Sequence, residues 1–140
     1  MTDEYYMKKA IQNAKKAYKL DEVPIGAIIV KDKKIIASTY NKKELENIAT
    51  YHAEVLAINE ACKKLNTWHL EDCTLYTTVE PCLMCTGAII QSRISRVVYG
   101  TKNKAFGYLS KLTNSKIEIT KDILNKECLN LLSSFFKNKR

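Results

Sequence analysis

Apolar or small residues recur at Met7, Ala10, Ile11, Ala14, Ala17 and Tyr18 with lysines between them. This helical spacing predicts an amphipathic helix over residues 4–19 that can cover one face of a sheet. Val23 to Val30 and Lys34 to Thr39 are short β-prone runs, and Lys31-Asp32-Lys33 between them reads as a hairpin turn. The polar run from Tyr40 to Thr50 reads as a loop. His52 to Leu65 reads as a helix with Ala53, Leu56, Ala57 and Ala61 on one side and Thr50 as a candidate N-cap. Thr74 to Val79 is β-prone and mostly alternating. Pro81 stands where a helix can begin, Cys82 to Ile90 continues it, and Arg96 to Tyr99 is β-prone again. Strand, helix, strand suggests a parallel pairing. Beyond an irregular basic stretch at 101–116, Lys116 to Thr120 reads as a short strand. Ile123, Leu124, Cys128, Leu131 and Leu132 then place a helix over Asp122 to Phe136. Helices alternating with strands predict a layered α/β architecture, a sheet with helices on both faces.

A chain of 140 residues, 46% hydrophobic and without repeat, linker or low-complexity segment, predicts one domain spanning residues 1–140. Its longest apolar stretch, Val23 to Val30, is interrupted by Pro24 and Gly26 and is far shorter than the roughly 20 residues of a membrane-spanning helix, so no membrane association is expected. The N-terminus is polar and acidic where a secretory signal is basic and then apolar, which predicts a cytoplasmic protein. Five cysteines, an odd number, match a disulfide framework poorly; Cys62, Cys73 and Cys128 read as small buried hydrophobes. The net charge of +8 is concentrated late: residues 101–140 hold nine Lys/Arg against three Asp/Glu. Such asymmetry fits a polyanionic partner, and equally a solubilising lysine-rich surface.

The sharpest feature is His52-Ala53-Glu54 followed, thirty residues after His52, by Pro81-Cys82-Leu83-Met84-Cys85. Two cysteines at i and i+3 on the first turn of a helix point the same way, and helix N-terminal amides favour thiolate, the form that binds metal. One His and two Cys make three ligands, and a three-ligand tetrahedral site keeps a position for water, as catalytic zinc does. Glu54, two residues from a ligand, can take that water's proton and return it. His-x-Glu with Pro-Cys-x-x-Cys is the known signature of zinc deaminases, so this step is a match to a motif. Glu80 is a rival acid at a strand end, where a structural or solvated role is the stronger reading. His69 has no motif around it and reads as a surface or packing residue.

From about Glu22 onward the chain resembles the bacterial tRNA-specific adenosine deaminases of the cytidine deaminase fold. The resemblance rests on Glu22-Val23-Pro24-Ile25-Gly26-Ala27, His52-Ala53-Glu54, Leu75 to Cys85, Ser92-Arg93-Ile94, Arg96 to Gly100 and Ser134-Phe135-Phe136-Lys137. It implies a three-layer α/β/α fold with a mixed five-stranded sheet. It also implies a hydrolase acting on a cyclic amidine C–N bond, converting the wobble adenosine of a tRNA anticodon stem-loop to inosine, with DNA not expected as natural substrate. The same resemblance implies one Zn2+ per subunit on His52, Cys82 and Cys85, Glu54 as proton shuttle, and a homodimer. Asn41 matches a residue that holds the flipped nucleotide, although a turn residue after a strand is an equally plain reading. Phe136 and Arg140 fall where the family places anticodon-loop contacts, and Phe136 is equally readable as core packing. Asn103 departs from the pattern, standing where the family commonly has an acidic residue. Two other classes stay open: a deaminase of a free base or nucleotide (cytosine, guanine or deoxycytidylate), and a non-catalytic RNA-binding module with structural zinc.

Overall fold

The computed structural model describes residues 1–113 and 115–139. Among them, β1 (Gly26–Lys31), β2 (Lys34–Tyr40), β3 (Thr74–Val79), β4 (Arg96–Thr101) and β5 (Glu118–Thr120) form a five-stranded sheet in the order β2-β1-β3-β4-β5. β1 is antiparallel to β2 and β3, whereas β3–β4 and β4–β5 are parallel, so the sheet is mixed. The helices are α1 (Asp3–Lys19), α2 (Lys43–Glu46), α3 (Ala53–Leu65), α4 (Leu83–Ser92) and α5 (Asn125–Asn138).

Alternation along the strands sends successive side chains to opposite faces. Ile28, Val30, Tyr76 and Val98 pack with Met7, Ala10 and Ile11 of α1 and Cys128 of α5. Ala27, Ile29, Leu75, Val97 and Tyr99 pack with Ala53, Ala57 and Ala61 of α3 and Ile89 of α4. This is the expected three-layer arrangement. Each buried Ile, Leu or Val contributes about 1.5–3 kcal/mol, so a one-residue slip that exchanged the faces would lose most of the core.

Local chemistry explains the boundaries. Thr2 caps α1 by accepting the Tyr5 N–H at 3.1 Å, and Asp3 and Glu4 in the first turn oppose Lys16 and Lys19 in the last. The β1–β2 hairpin turns at Asp32-Lys33, both with positive φ (51° and 64°), the geometry that matches strand twist. β1 begins at Gly26, later than the apolar run from Val23 suggests, because Pro24 has no N–H for a ladder. At Gly26 a Cβ would lie 2.0 Å from the Ala10 carbonyl, so α1 seats against β1 only where no side chain intervenes.

Arg96 clamps the start of α1 to the sheet: Nη1 and Nη2 donate to the two Asp3 oxygens at 2.9 and 2.7 Å, and the Tyr76 hydroxyl adds a bond of 2.8 Å. The Arg96 and Asp3 side chains are 25% and 27% exposed, which leaves the fork partly shielded. Asp3→Asn is expected to cost about 1 kcal/mol at neutral pH. The hydrogen bond from Arg96 holds the Asp3 carboxyl below its ordinary value, against the opposing effect of burial. Its contribution is therefore complete above the ordinary carboxylate range and fades as pH falls through the lowered value. Urea midpoints of the two proteins should differ at neutral pH and converge in strong acid; a constant difference would contradict this assignment.

Candidate metal centre and cleft

The parallel strands β3 and β4 end on the same edge, and the chain leaving β3 turns through Glu80-Pro81 into α4. Open α/β sheets place sites at this carboxyl edge. Cys82 is the N-cap of α4 and Cys85 lies in its first turn, while His52 is the N-cap of α3 and Glu54 lies in that helix's first turn. Two helix starts thus bring together groups that are thirty residues apart in sequence.

His52 Nδ1 stands 3.6 Å from Cys82 Sγ and 3.5 Å from Cys85 Sγ, and the three atoms all lie within 4.8 Å of one another. Tetrahedral zinc with Zn–S near 2.3 Å and Zn–N near 2.0 Å sets an N···S edge of about 3.6 Å, so the donor set fits such an ion. Its charge state fits as well. The Cys85 thiol hydrogen-bonds the Cys82 sulfur and, with His52 assisting against burial, lowers the Cys82 thiol to about 3; Cys85 is correspondingly raised. The bond to Cys82 raises His52, while burial and the nearby charge of Lys43 oppose that rise. Cys82 is thus held as a thiolate, while Cys85 and His52 hold protons that a dication would displace.

Glu54 is 3% exposed, and burial raises its carboxyl to about 7. Its Oε1 is buried with no hydrogen-bond partner among the described residues. A buried carboxylate oxygen left unpaired is costly, and such orphans mark places where a further group binds or reacts.

The group opens into a cleft of about 930 Å³. Asn41 and Lys43 line it, as do residues 102–106 and, from α5, Asn125, Leu129, Leu132, Ser133 and Phe136. Asn41 is buried, and its Oδ1 accepts the Ala53 N–H at 2.9 Å. It thus serves the start of α3 in place of Thr50, which stands exposed in a turn two residues before the N-cap. Phe136 is 51% exposed in the cleft, whereas its neighbour Phe135 is 6% exposed and packs edge-on against Tyr18. Core packing thus belongs to Phe135. Arg140 lies outside the described residues. His69 stacks on the exposed Trp68 and pairs with Glu71, and it takes no part in the site.

Glu80 has a structural duty. Its buried carboxylate accepts the Asn103 N–H at 3.3 Å and the Ser110 N–H at 2.7 Å, fastening the irregular 102–110 loop beside Cys82. Tyr108 N–H donates to the Pro81 carbonyl at 3.0 Å, and a Cβ on Gly107 would lie 2.4 Å from Glu80 Oε1, so that approach also needs glycine. Asn103 Oδ1 accepts the Phe106 N–H at 3.0 Å, a bond that a carboxylate could accept as well. Sequence reasoning missed Lys43, which sits in a segment read as an undifferentiated polar loop; the resemblance alone places the 102–107 segment beside the substrate site, with neither Lys102 nor Lys104 singled out. Clustered lysines near the motif are a weak signal in a chain with 23 Lys/Arg.

The family model of MafB19-like deaminases matches the chain over residues 1–140. The tRNA-specific adenosine deaminase of Bacillus subtilis (strain 168) is 47% identical over 146 residues, covering 99% of this chain and 91% of that protein. A solved structure from studies of A-to-I editing by tRNA:A34 deaminases at the wobble position of transfer RNA superposes with a TM-score of 0.86. It is 32% identical and covers 91% of this chain and 99% of its own. The guanine deaminase from Bacillus subtilis superposes with a TM-score of 0.72 at 38% identity, over 82% of this chain and 78% of its own.

Proposed function

Because the chain belongs to the tRNA-specific adenosine deaminases within the MafB19-like deaminases, we propose that it hydrolyses the wobble adenosine of a tRNA anticodon loop to inosine, with one zinc ion per subunit held by His52, Cys82 and Cys85. The observation that carries the mechanism is the unpaired, buried Oε1 of Glu54 beside the His/Cys/Cys group. When bound, zinc supplies a water activated near neutral pH, its pKa lowered to roughly 7.

Glu54 accepts a proton from the attacking water and delivers it to N1 of the adenine as oxygen bonds to C6. It then shuttles a second proton from the new hydroxyl to the departing nitrogen. The C6–N bond breaks, ammonia leaves, and adenosine plus water becomes inosine plus ammonia. Asn41 already uses Oδ1 on the Ala53 N–H, which leaves its amide nitrogen to donate to the flipped nucleotide. Phe136 offers its exposed ring to a base, and Lys102 and Lys104 offer charge to phosphates. Arg140 keeps the anticodon-loop role that the sequence resemblance assigns it. Leu83 and Ile90 are exposed on α4 with Gly87 facing open space between them, an apolar stripe that supports a homodimer. No helix among the described residues is long and apolar enough to cross a membrane, and a tRNA substrate fits a cytoplasmic location.

An anticodon stem-loop RNA with adenosine at the wobble position should yield inosine, while guanine and cytidine added alone should remain unchanged. Guanine turnover without inosine formation would move the reading to a free-base deaminase. Bound zinc with neither product would leave the non-catalytic module.

A further inference from the structure

The segment between Asn41 and His52 carries a residue of the cleft, yet almost nothing apolar holds it. Its one-turn helix α2 has no buried residue, and positions 43–50 are all exposed. Its two ends are tied by backbone bonds, Asn41 N–H to the Ile25 carbonyl at 3.0 Å and Lys42 N–H to the Tyr51 carbonyl at 3.0 Å. What holds the middle is Glu22, in the turn after α1. Glu22 is 1% exposed, and its Oε2 alone accepts both the Glu44 N–H at 2.9 Å and the Leu45 N–H at 3.0 Å. Its other oxygen, Oε1, is buried without a partner among the described residues. A buried carboxylate is costly even when hydrogen-bonded. Here it is spent on the placement of an exposed loop.

The side chain so placed is Lys43, the first residue of α2. It is exposed, lines the cleft, and forms no ion pair among the described residues. Lys102 and Lys104 line the same cleft from the 102–106 segment. A nucleotide inside a chain carries a phosphate on each side, and lysine binds phosphate as a point charge. We propose that Glu22 is a positioning residue for RNA binding, fixing the α2 loop so that Lys43 meets a backbone phosphate beside the reacting nucleotide. This rests on the reading of the cleft as an RNA site.

The test is a double-mutant cycle on the zinc-loaded protein with anticodon stem-loop RNA. Lys43→Ala should raise KM about threefold to tenfold with kcat held within about twofold, the sign of lost binding common to ground and transition states. It should also make the fall of log(kcat/KM) with log[salt] shallower by about 0.7, one single-strand phosphate contact. Glu22→Ala should reproduce both changes, and the double variant should match Lys43→Ala alone. Glu22→Gln should restore the unmodified behaviour, because one amide oxygen can take both N–H groups as Oε2 does. An unchanged salt slope in Lys43→Ala, a loss in Glu22→Ala that falls on kcat, or additive effects in the double variant each overturns the inference. Should Glu22→Ala prove insoluble, Lys43→Ala and Glu22→Gln decide it, a raised KM in the latter counting against it. Absence of inosine with the unmodified protein overturns the proposed reaction itself, an outcome distinct from all of these.

Discussion

Glu54→Gln is expected to keep its zinc and lose inosine formation by about 10²–10⁴-fold, the usual worth of a positioned acid–base group. The substitution keeps the shape of the side chain and the neutral form of its head. Burial at 3% exposure already favours that neutral form, so the fold should tolerate the amide. The amide cannot accept the water's proton, and its NH2 places a donor where the unpaired Oε1 now sits. Zinc content by metal analysis, thermal melting and single-turnover inosine formation make up the measurement. Loss of zinc together with activity would show Glu54 to be part of the metal's support, and undiminished turnover would remove it from the mechanism.

Cys85→Ser should lose bound zinc and with it all detectable deamination. Serine nearly matches the volume of cysteine at this fully buried position, so the packing of α4 survives. Its hydroxyl is a hard donor that stays protonated near neutral pH, a poor ligand for a site built from thiolates and imidazole. Zinc bound on these residues would also stabilise the fold by mass action, by about 2.7 kcal/mol when free zinc exceeds the dissociation constant a hundredfold. Chelation of the unmodified protein should therefore lower its Tm by about 5–10 °C, at roughly 2–4 °C per kcal/mol. The same chelator should leave the Tm of Cys85→Ser unmoved. A melting point insensitive to chelator in the unmodified protein would argue against a metal on these three residues.

Most element types follow from local pattern, because side-chain period and turn chemistry act over a few residues. α1, the β1–β2 hairpin and β3 lie where periodicity and caps put them, and α4 starts at Leu83, two residues after the Pro81 that signals it, with Cys82 as its N-cap. Boundaries depart where a distant group intervenes. α3 begins at Ala53 with its first N–H held by Asn41, twelve residues upstream, and not by the nearby Thr50. α2 is absent from the pattern of its own residues, since the carboxylate that caps it belongs to Glu22. Adjacent aromatics at 135 and 136 share a helix, and only the packing of Tyr18 against one of them decides which faces the cleft.

His52, Glu54, Cys82 and Cys85 are legible in the sequence as a match to the zinc deaminase motif, whose residue types suit a three-ligand metal and a proton carrier. That His52 and the two cysteines converge on one point, that Glu54 is buried beside them with a free oxygen, and that Lys43, Phe136 and the 102–106 loop surround the opening were settled only by tertiary structure. The reason is physical: ligand identity is a property of single side chains, whereas burial, charge environment and the walls of a cleft arise from segments far apart in the chain that meet only when the sheet edge and the helix starts are assembled.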